Sequence, residues 1–158
     1  MPGRVLPRVA RRLGTKRWIM KRRNTILKLD RGVRRVTKGR RGVLDIAGLP
    51  SLELTVSGRR TGLPRTTSLL YIPHGDTIIL VGSNWGRPEH PSWSANLRSA
   101  PTALVHIRDD FYAVTVAEIT GVERKRLWDL AVEFWPGYEI EHELSGHRTF
   151  RIFELHRM

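Results

Sequence analysis

The chain has 158 residues, 27% of them charged and 40% apolar, the composition of one soluble globular domain long enough to bury a core. It contains no cysteine, which excludes disulfides, zinc–thiolate sites, iron–sulfur ligation and a cysteine nucleophile. The net charge of +13 is unevenly placed: residues 1–43 hold 16 Lys/Arg against the single acid Asp30, and residues 44–158 hold 12 basic and 14 acidic residues.

The basic character therefore belongs to an N-terminal arm, 1–43, ahead of a globular part, 44–158, and does not by itself mark a nucleic-acid binder. No apolar run reaches the roughly 20 residues of a membrane span, and no signal-peptide core is visible, so a cytoplasmic location is expected. The spacing predicts a helix over residues 15–38. Ile19, Ile26 and Val33 recur every seven residues, with Leu29 and Val36 on the same face. Lys21, Lys28 and Arg35 recur at the same interval, roughly 200° round the helix. Three readings stay open. The helix packs its apolar stripe on the domain; or it lies on an anionic membrane at the inner face of the plasma membrane, with Trp18 at headgroup level; or it binds nucleic acid, which the scarcity of aromatics for base stacking disfavours. Gly32, Gly39 and Gly42 weaken its C-terminal half, and residues 37–42 read as a linker.

Beyond Leu49 the period changes from helical to alternating. Residues 52–56 read as a strand, and Gly58-Arg59-Arg60-Thr61-Gly62 as a two-glycine turn. Further strands are expected at 66–72 and, after a tight turn at 73–76, at 77–81. A loop follows over 84–91, then a short helix from Ser92 to Ser99. Residues 103–107 and 112–117 form a hairpin. Thr120 and Glu123 have the spacing of a capping box for a helix whose apolar face is Val122, Leu127, Leu130, Ala131 and Phe134, stopped by Pro136-Gly137. A last strand spans 150–155. Six strands in hairpins with a late helix point to a mainly β, α+β chain whose antiparallel sheet closes or nearly closes into a barrel.

Two segments carry chemistry. Gly58-Arg59-Arg60-Thr61-Gly62-Leu63-Pro64-Arg65 sets three arginines around a turn whose freed N–H groups could face an anion, a pattern suited to phosphate or carboxylate. In Pro91-Ser92-Trp93-Ser94-Ala95-Asn96-Leu97, Trp93 and Asn96 share a helix face; Trp93 reads as core or as a ligand stack, and Asn96 needs a hydrogen-bond partner. His142 and His147 are five apart, about 140° from one another on a helix, which does not suit a zinc pair; 142–147 reads as a polar surface loop. No dinucleotide fingerprint, Walker loop or nucleophile–His–acid spacing is present.

These two segments, with Ser83–Gly86 between them and Trp135-Pro136-Gly137-Tyr138 after, resemble the deazaflavin-dependent nitroreductase family of actinobacterial F420-dependent oxidoreductases over about residues 50–156. The resemblance implies a split antiparallel β-barrel of the type that binds flavin mononucleotide in pyridoxamine-phosphate oxidases. It also implies coenzyme F420 as hydride carrier, and a small apolar acceptor such as a quinone, enone or nitro compound. It assigns the cofactor's phosphate and glutamate carboxylates to Arg59, Arg60, Thr61 and Arg65, with Gly62 and Asn84 in the same loops. Pro64, Thr66, Thr67, Ser83, Trp93 and Asn96 would lie along or around the ring; Tyr138, Tyr71 and Ser83 are the candidate catalytic hydroxyls, the two tyrosines facing the acceptor, with Tyr138 or a bound water as proton donor. Flavin mononucleotide in place of F420, and a non-catalytic cofactor-binding or membrane-associated barrel, are the alternatives.

Overall fold

The computed structural model describes residues 17–46 and 48–158; the start of the expected arm helix lies outside them. The N-terminal segment forms two helices, α1 (Arg17–Lys21) and α2 (Arg23–Val36), and a short turn of helix, α3 (Val43–Ile46). Seven strands follow among the described residues: β1 (Ser51–Ser57), β2 (Pro64–Leu70), β3 (Ile72–His74), β4 (Thr77–Val81), β5 (Thr102–Ile107), β6 (Asp110–Ile119) and β7 (Ile152–Arg157). Between them lie a 3-10 turn at Asn84–Gly86 and the helices α4 (Ser92–Arg98), α5 (Gly121–Phe134) and α6 (Gly137–Leu144).

The strands make one sheet in the order β2-β1-β5-β6-β7-β4-β3, every pairing antiparallel. β2 and β3 are its two edges, yet a single residue, Tyr71, joins them. A chain advances at most about 3.8 Å per residue, so the edges must meet there. The sheet is therefore curled into the expected split barrel, with its seam at Tyr71. This break divides the expected strand 66–72 into an edge strand and the first residue of the opposite edge.

Alternation sets the two cores. Leu52, Leu54 and Val56 of β1, Ile78 and Leu80 of β4, Val105, Val114, Phe153 and Leu155 fill the barrel. The opposite face of β4 and β7 (Ile79, Val81, Ile152) is covered by Leu127 and Ala131 of α5 and Tyr138 of α6. Both faces of β4 are thus buried, which is why residues 77–81 read as one apolar run.

Three local expectations are corrected. Pro136-Gly137 ends α5 at Phe134 as expected, but it also opens α6, since proline suits a helix's start; His142 therefore lies on a helix, packed against Trp128 and Phe150, and not in a loop. The Thr120 side chain makes no capping bond; Glu123 pairs instead with Arg126. The apolar stripe of the arm does not pack as a unit: Leu29 and Val36 are exposed, as is Trp18, while Met20, Asp30 and Arg34 are buried.

A polar network tethers α2. Arg34 Nε donates to Asp30 Oδ2 at 3.0 Å, and its Nη2 donates to Ser51 Oγ at 2.7 Å, at the first residue of β1. The second Asp30 oxygen accepts from the Val43 amide at 2.8 Å, and Ser51 Oγ donates to Asp45. The arm's only acid therefore fixes the helix to the barrel.

Candidate active site

The turn between β1 and β2 is closed by its own amides. Gly58 N–H donates to Leu63 O at 2.8 Å, Gly62 N–H to Gly58 O at 2.7 Å, and Leu63 N–H to Thr61 Oγ1 at 3.3 Å. Gly62 has φ +71°, a conformation other residues adopt at a cost. The Arg59 amide and its Nη1 both donate to Asn96 Oδ1 of α4, at 3.1 Å each. This is the hydrogen-bond partner Asn96 required, and it pins the turn against α4. The amides expected to face an anion are largely spent inside the turn, so any anion site here depends on side chains.

Beside the turn lies a cavity of about 730 Å³. Arg59, Arg60 and Thr61 of the turn, Arg65 and Thr67 of β2, Asn84, Arg87, Glu89 and His90 of the following loop, Trp93 and Asn96 of α4, and Arg23 of α2 line it. Five guanidiniums thus face one carboxylate. His90 is pushed below its ordinary value by burial and then by Arg151, Arg148 and Arg98, which keeps it neutral near pH 7. Trp93 serves on two sides: it lines the cavity and its ring lies 5.9 Å from that of Phe153, at the edge of the barrel core. Thr67 also borders a second cavity of about 600 Å³, walled by α2 and by Thr66, Thr67 and Ser68.

The structure gathers Arg59, Arg60, Thr61, Arg65, Thr67, Asn84, Trp93 and Asn96 around one cavity and Thr66 beside its neighbour. Gly62 and Pro64 are exposed on the hairpin and line neither. The three candidate catalytic hydroxyls line neither cavity. Tyr71 sits at the seam, packed against the barrel core. Tyr138 is 3% exposed in the α5–α6 core, where burial and then Glu141 push its hydroxyl pKa up, so it stays protonated. Ser83 is buried, and its Oγ donates to Glu141 Oε1 at 3.2 Å.

The loop carrying Asn84 is held from behind. Arg148 donates to the carbonyls of Gly82 (3.0 Å), Ser83 (2.8 Å) and Arg87 (3.2 Å) and lies over the Phe150 ring. Asn84, Trp85 and Gly86 take successive positive φ values of 52°, 57° and 77°. A Cβ on Gly86 would come within 3.0 Å of Glu141 O and Leu144 Cβ, so α6 can approach the loop only over glycine. Sequence reasoning missed Arg23, Arg87 and Arg148. Arg23 is one of the basic run Lys21-Arg22-Arg23 and Arg87 and Arg148 stand alone, so none carries a spacing signal, and only the fold gathers them around one loop.

The site is thus an arginine-lined cavity set between the β1–β2 turn and a short helix of a split antiparallel barrel. The family model for F420H(2)-dependent quinone reductases matches residues 28–152, and the chain belongs to that family. It is similar to the F420H(2)-dependent quinone reductase Rv1261c of Mycobacterium tuberculosis, at 34% identity over 110 residues, 68% of this chain and 74% of the relative. Among solved structures it resembles the F420-H2 dependent reductase FDR-A, at 31% identity and a TM-score of 0.60, over 67% of this chain and 93% of that one. The haem storage protein HutZ from Vibrio cholerae shares the fold alone, at 13% identity and a TM-score of 0.53, over 82% of this chain and 90% of HutZ.

Proposed function

We propose that the chain reduces a quinone with F420H2, and that the arginine cavity holds the anionic end of that cofactor. The excess of five arginines over one carboxylate in the cavity carries this reading, because unpaired guanidiniums at a partly enclosed site favour a ligand with phosphate and carboxylates. The residues present fit such a group. Arg59, held by Asn96, and Arg65 would contact the anions, with Arg60 and Thr61 beside them. Thr67 and Trp93 would flank the ring. When bound, the reduced deazaflavin supplies the hydride. The chain's part is to orient it, exclude water and hold a proton near the acceptor. Ser83 directly precedes the cavity residue Asn84, and Glu141 stands behind its hydroxyl. Tyr71 and Tyr138 would support the acceptor side from within the two cores.

Fluorescence titration with oxidised F420, run beside flavin mononucleotide, tests the reading. F420 should bind at micromolar concentration or tighter and flavin mononucleotide poorly; the reverse order would overturn it. Arg65→Ala should weaken F420 binding by about 10- to 100-fold, the worth of one charge-assisted contact, with the melting temperature unchanged.

A second reading concerns the arm. No helix among the described residues is long and apolar enough to cross a membrane. Trp18, Leu29 and Val36 are nonetheless exposed, beside the exposed cations Lys21, Arg22 and Lys28. This face would suit peripheral contact with an anionic bilayer, where lipid-soluble quinones reside. Co-sedimentation with vesicles is the measurement.

A further inference from the structure

Helix α2 reaches the arginine cavity through its first residue, although nothing in the arm's sequence marks it for that role. That residue, Arg23, lines the cavity together with cations that come from the barrel: Arg59, Arg60 and Arg65 from the β1–β2 hairpin and Arg87 from the 82–91 loop. None of these five takes part in an ion pair among the described residues; the arginines that do are elsewhere. Arg23 Nε donates to the neighbouring Asn24 Oδ1 at 3.3 Å, its one side-chain hydrogen bond among the described residues, which leaves both terminal nitrogens for a ligand. Burial and then Arg87 disfavour its charge, and Glu89 favours it. A fifth cation brought into such a field raises the energy of the empty cavity and rewards an anion there.

The position of Arg23 is set by the barrel and not by the arm's apolar stripe. Seven and eleven residues further along the helix, Asp30 and Arg34 are buried and bonded to Val43 and to Ser51 of β1. That network fixes the helix axis, and with it the end from which Arg23 projects.

We propose that Arg23 is an anion-binding residue of the cavity, so that the N-terminal helix completes a site whose other cations come from the barrel. Its guanidinium meets the phosphate or a carboxylate of the ligand. This rests on the reading of the cavity as the cofactor's anion site.

The test is fluorescence titration of oxidised F420 against the full chain and its Arg23→Ala, Arg22→Ala and Arg65→Ala variants at one ionic strength, with melting temperatures recorded alongside. Arg22 is exposed, adjacent and equal in charge, so it reports the long-range field alone. Arg23→Ala should weaken binding about tenfold and Arg22→Ala should leave it unchanged. The deazaflavin nucleoside that lacks phosphate and glutamates should bind the full chain and Arg23→Ala alike. If Arg65→Ala loses affinity while Arg23→Ala does not, or if the Arg22 and Arg23 variants lose it equally, the proposal is wrong and the cofactor reading stands. If the full chain does not bind F420, both fall.

Discussion

Glu141 Oε2 is, among the described residues, the one buried side-chain oxygen or nitrogen without a hydrogen-bond partner. Its other oxygen accepts from Ser83. Burial raises the carboxyl pKa from its ordinary 4.5 to about 8, against the opposing effects of Ser83 and Arg148. Between those values the folded protein keeps a proton that the unfolded chain has released. Stability therefore falls as pH rises through that window, and the loss is complete above the folded value. Melting temperatures measured between about pH 5 and pH 8.5 should decline in the natural chain and decline less in Glu141→Gln, which keeps an acceptor for Ser83 but cannot ionise. Equal slopes in the two proteins would show that the carboxyl ionises without penalty. At this scale the sequence marked Asn96 as needing a partner but could not say that the partner was Arg59. Nothing in the sequence marks Glu141 as a buried acid, since burial is a property of the packed helix and not of the residue.

Helix α2 contrasts two glycines that look alike in sequence. Gly32 is exposed in mid-helix, with open space where a Cβ would stand. Gly42, beyond the helix, is buried, and a Cβ there would strike the Asp30 carboxylate and the Arg34 guanidinium. Gly32→Ala should stabilise by roughly 0.5–1 kcal/mol through helix propensity alone. Gly42→Ala should destabilise by on the order of 3 kcal/mol, within the range for prising apart a buried ion pair. Chemical denaturation of both variants is the check, and a neutral Gly42→Ala would mean the network shifts without cost. The element boundaries that sequence reasoning missed have similar causes. Pro136-Gly137 stops α5 and also starts α6, a second helix that forms because its Tyr138 side chain finds a buried place against α5 and β7. Residues 66–72 look like one strand, but the seam at Tyr71 assigns their two ends to opposite edges.

Across the whole molecule, the arm's cations divide between the cavity, the anchor on the barrel and the solvent-facing surface. Asp30 and Arg34 turn inward and hold the barrel, Arg23 faces the cavity, and Lys21, Arg22 and Lys28 remain outside beside Trp18, Leu29 and Val36. Each cation near an anionic surface contributes about 1 kcal/mol, an attraction screened by salt. If the outer face rests on a membrane, the full chain should co-sediment with anionic vesicles and not with neutral ones. Replacing Trp18 and Leu29 by Ser should release it without changing F420 affinity, because neither residue lines the cavity. Retention on neutral vesicles, or no binding to either kind, would remove the membrane reading.

The antiparallel β class, the late helix and the hairpin arginines were legible in the sequence because each is a local signal: alternation, a 3.6-residue period, and glycine spacing that only a turn accommodates. The resemblance carried by Gly58–Arg65 and Pro91–Leu97 placed the chain among F420-dependent proteins for the same reason, since both motifs are short and contiguous. The tertiary structure alone decided what joins distant residues. It met two sheet edges at Tyr71, turned a solvated-looking acid and arginine of the arm into an anchor on β1, and brought Arg23, Arg87 and the hairpin to one cavity. Those outcomes depend on which faces remain to be covered once the strands have paired, a quantity no window of sequence contains.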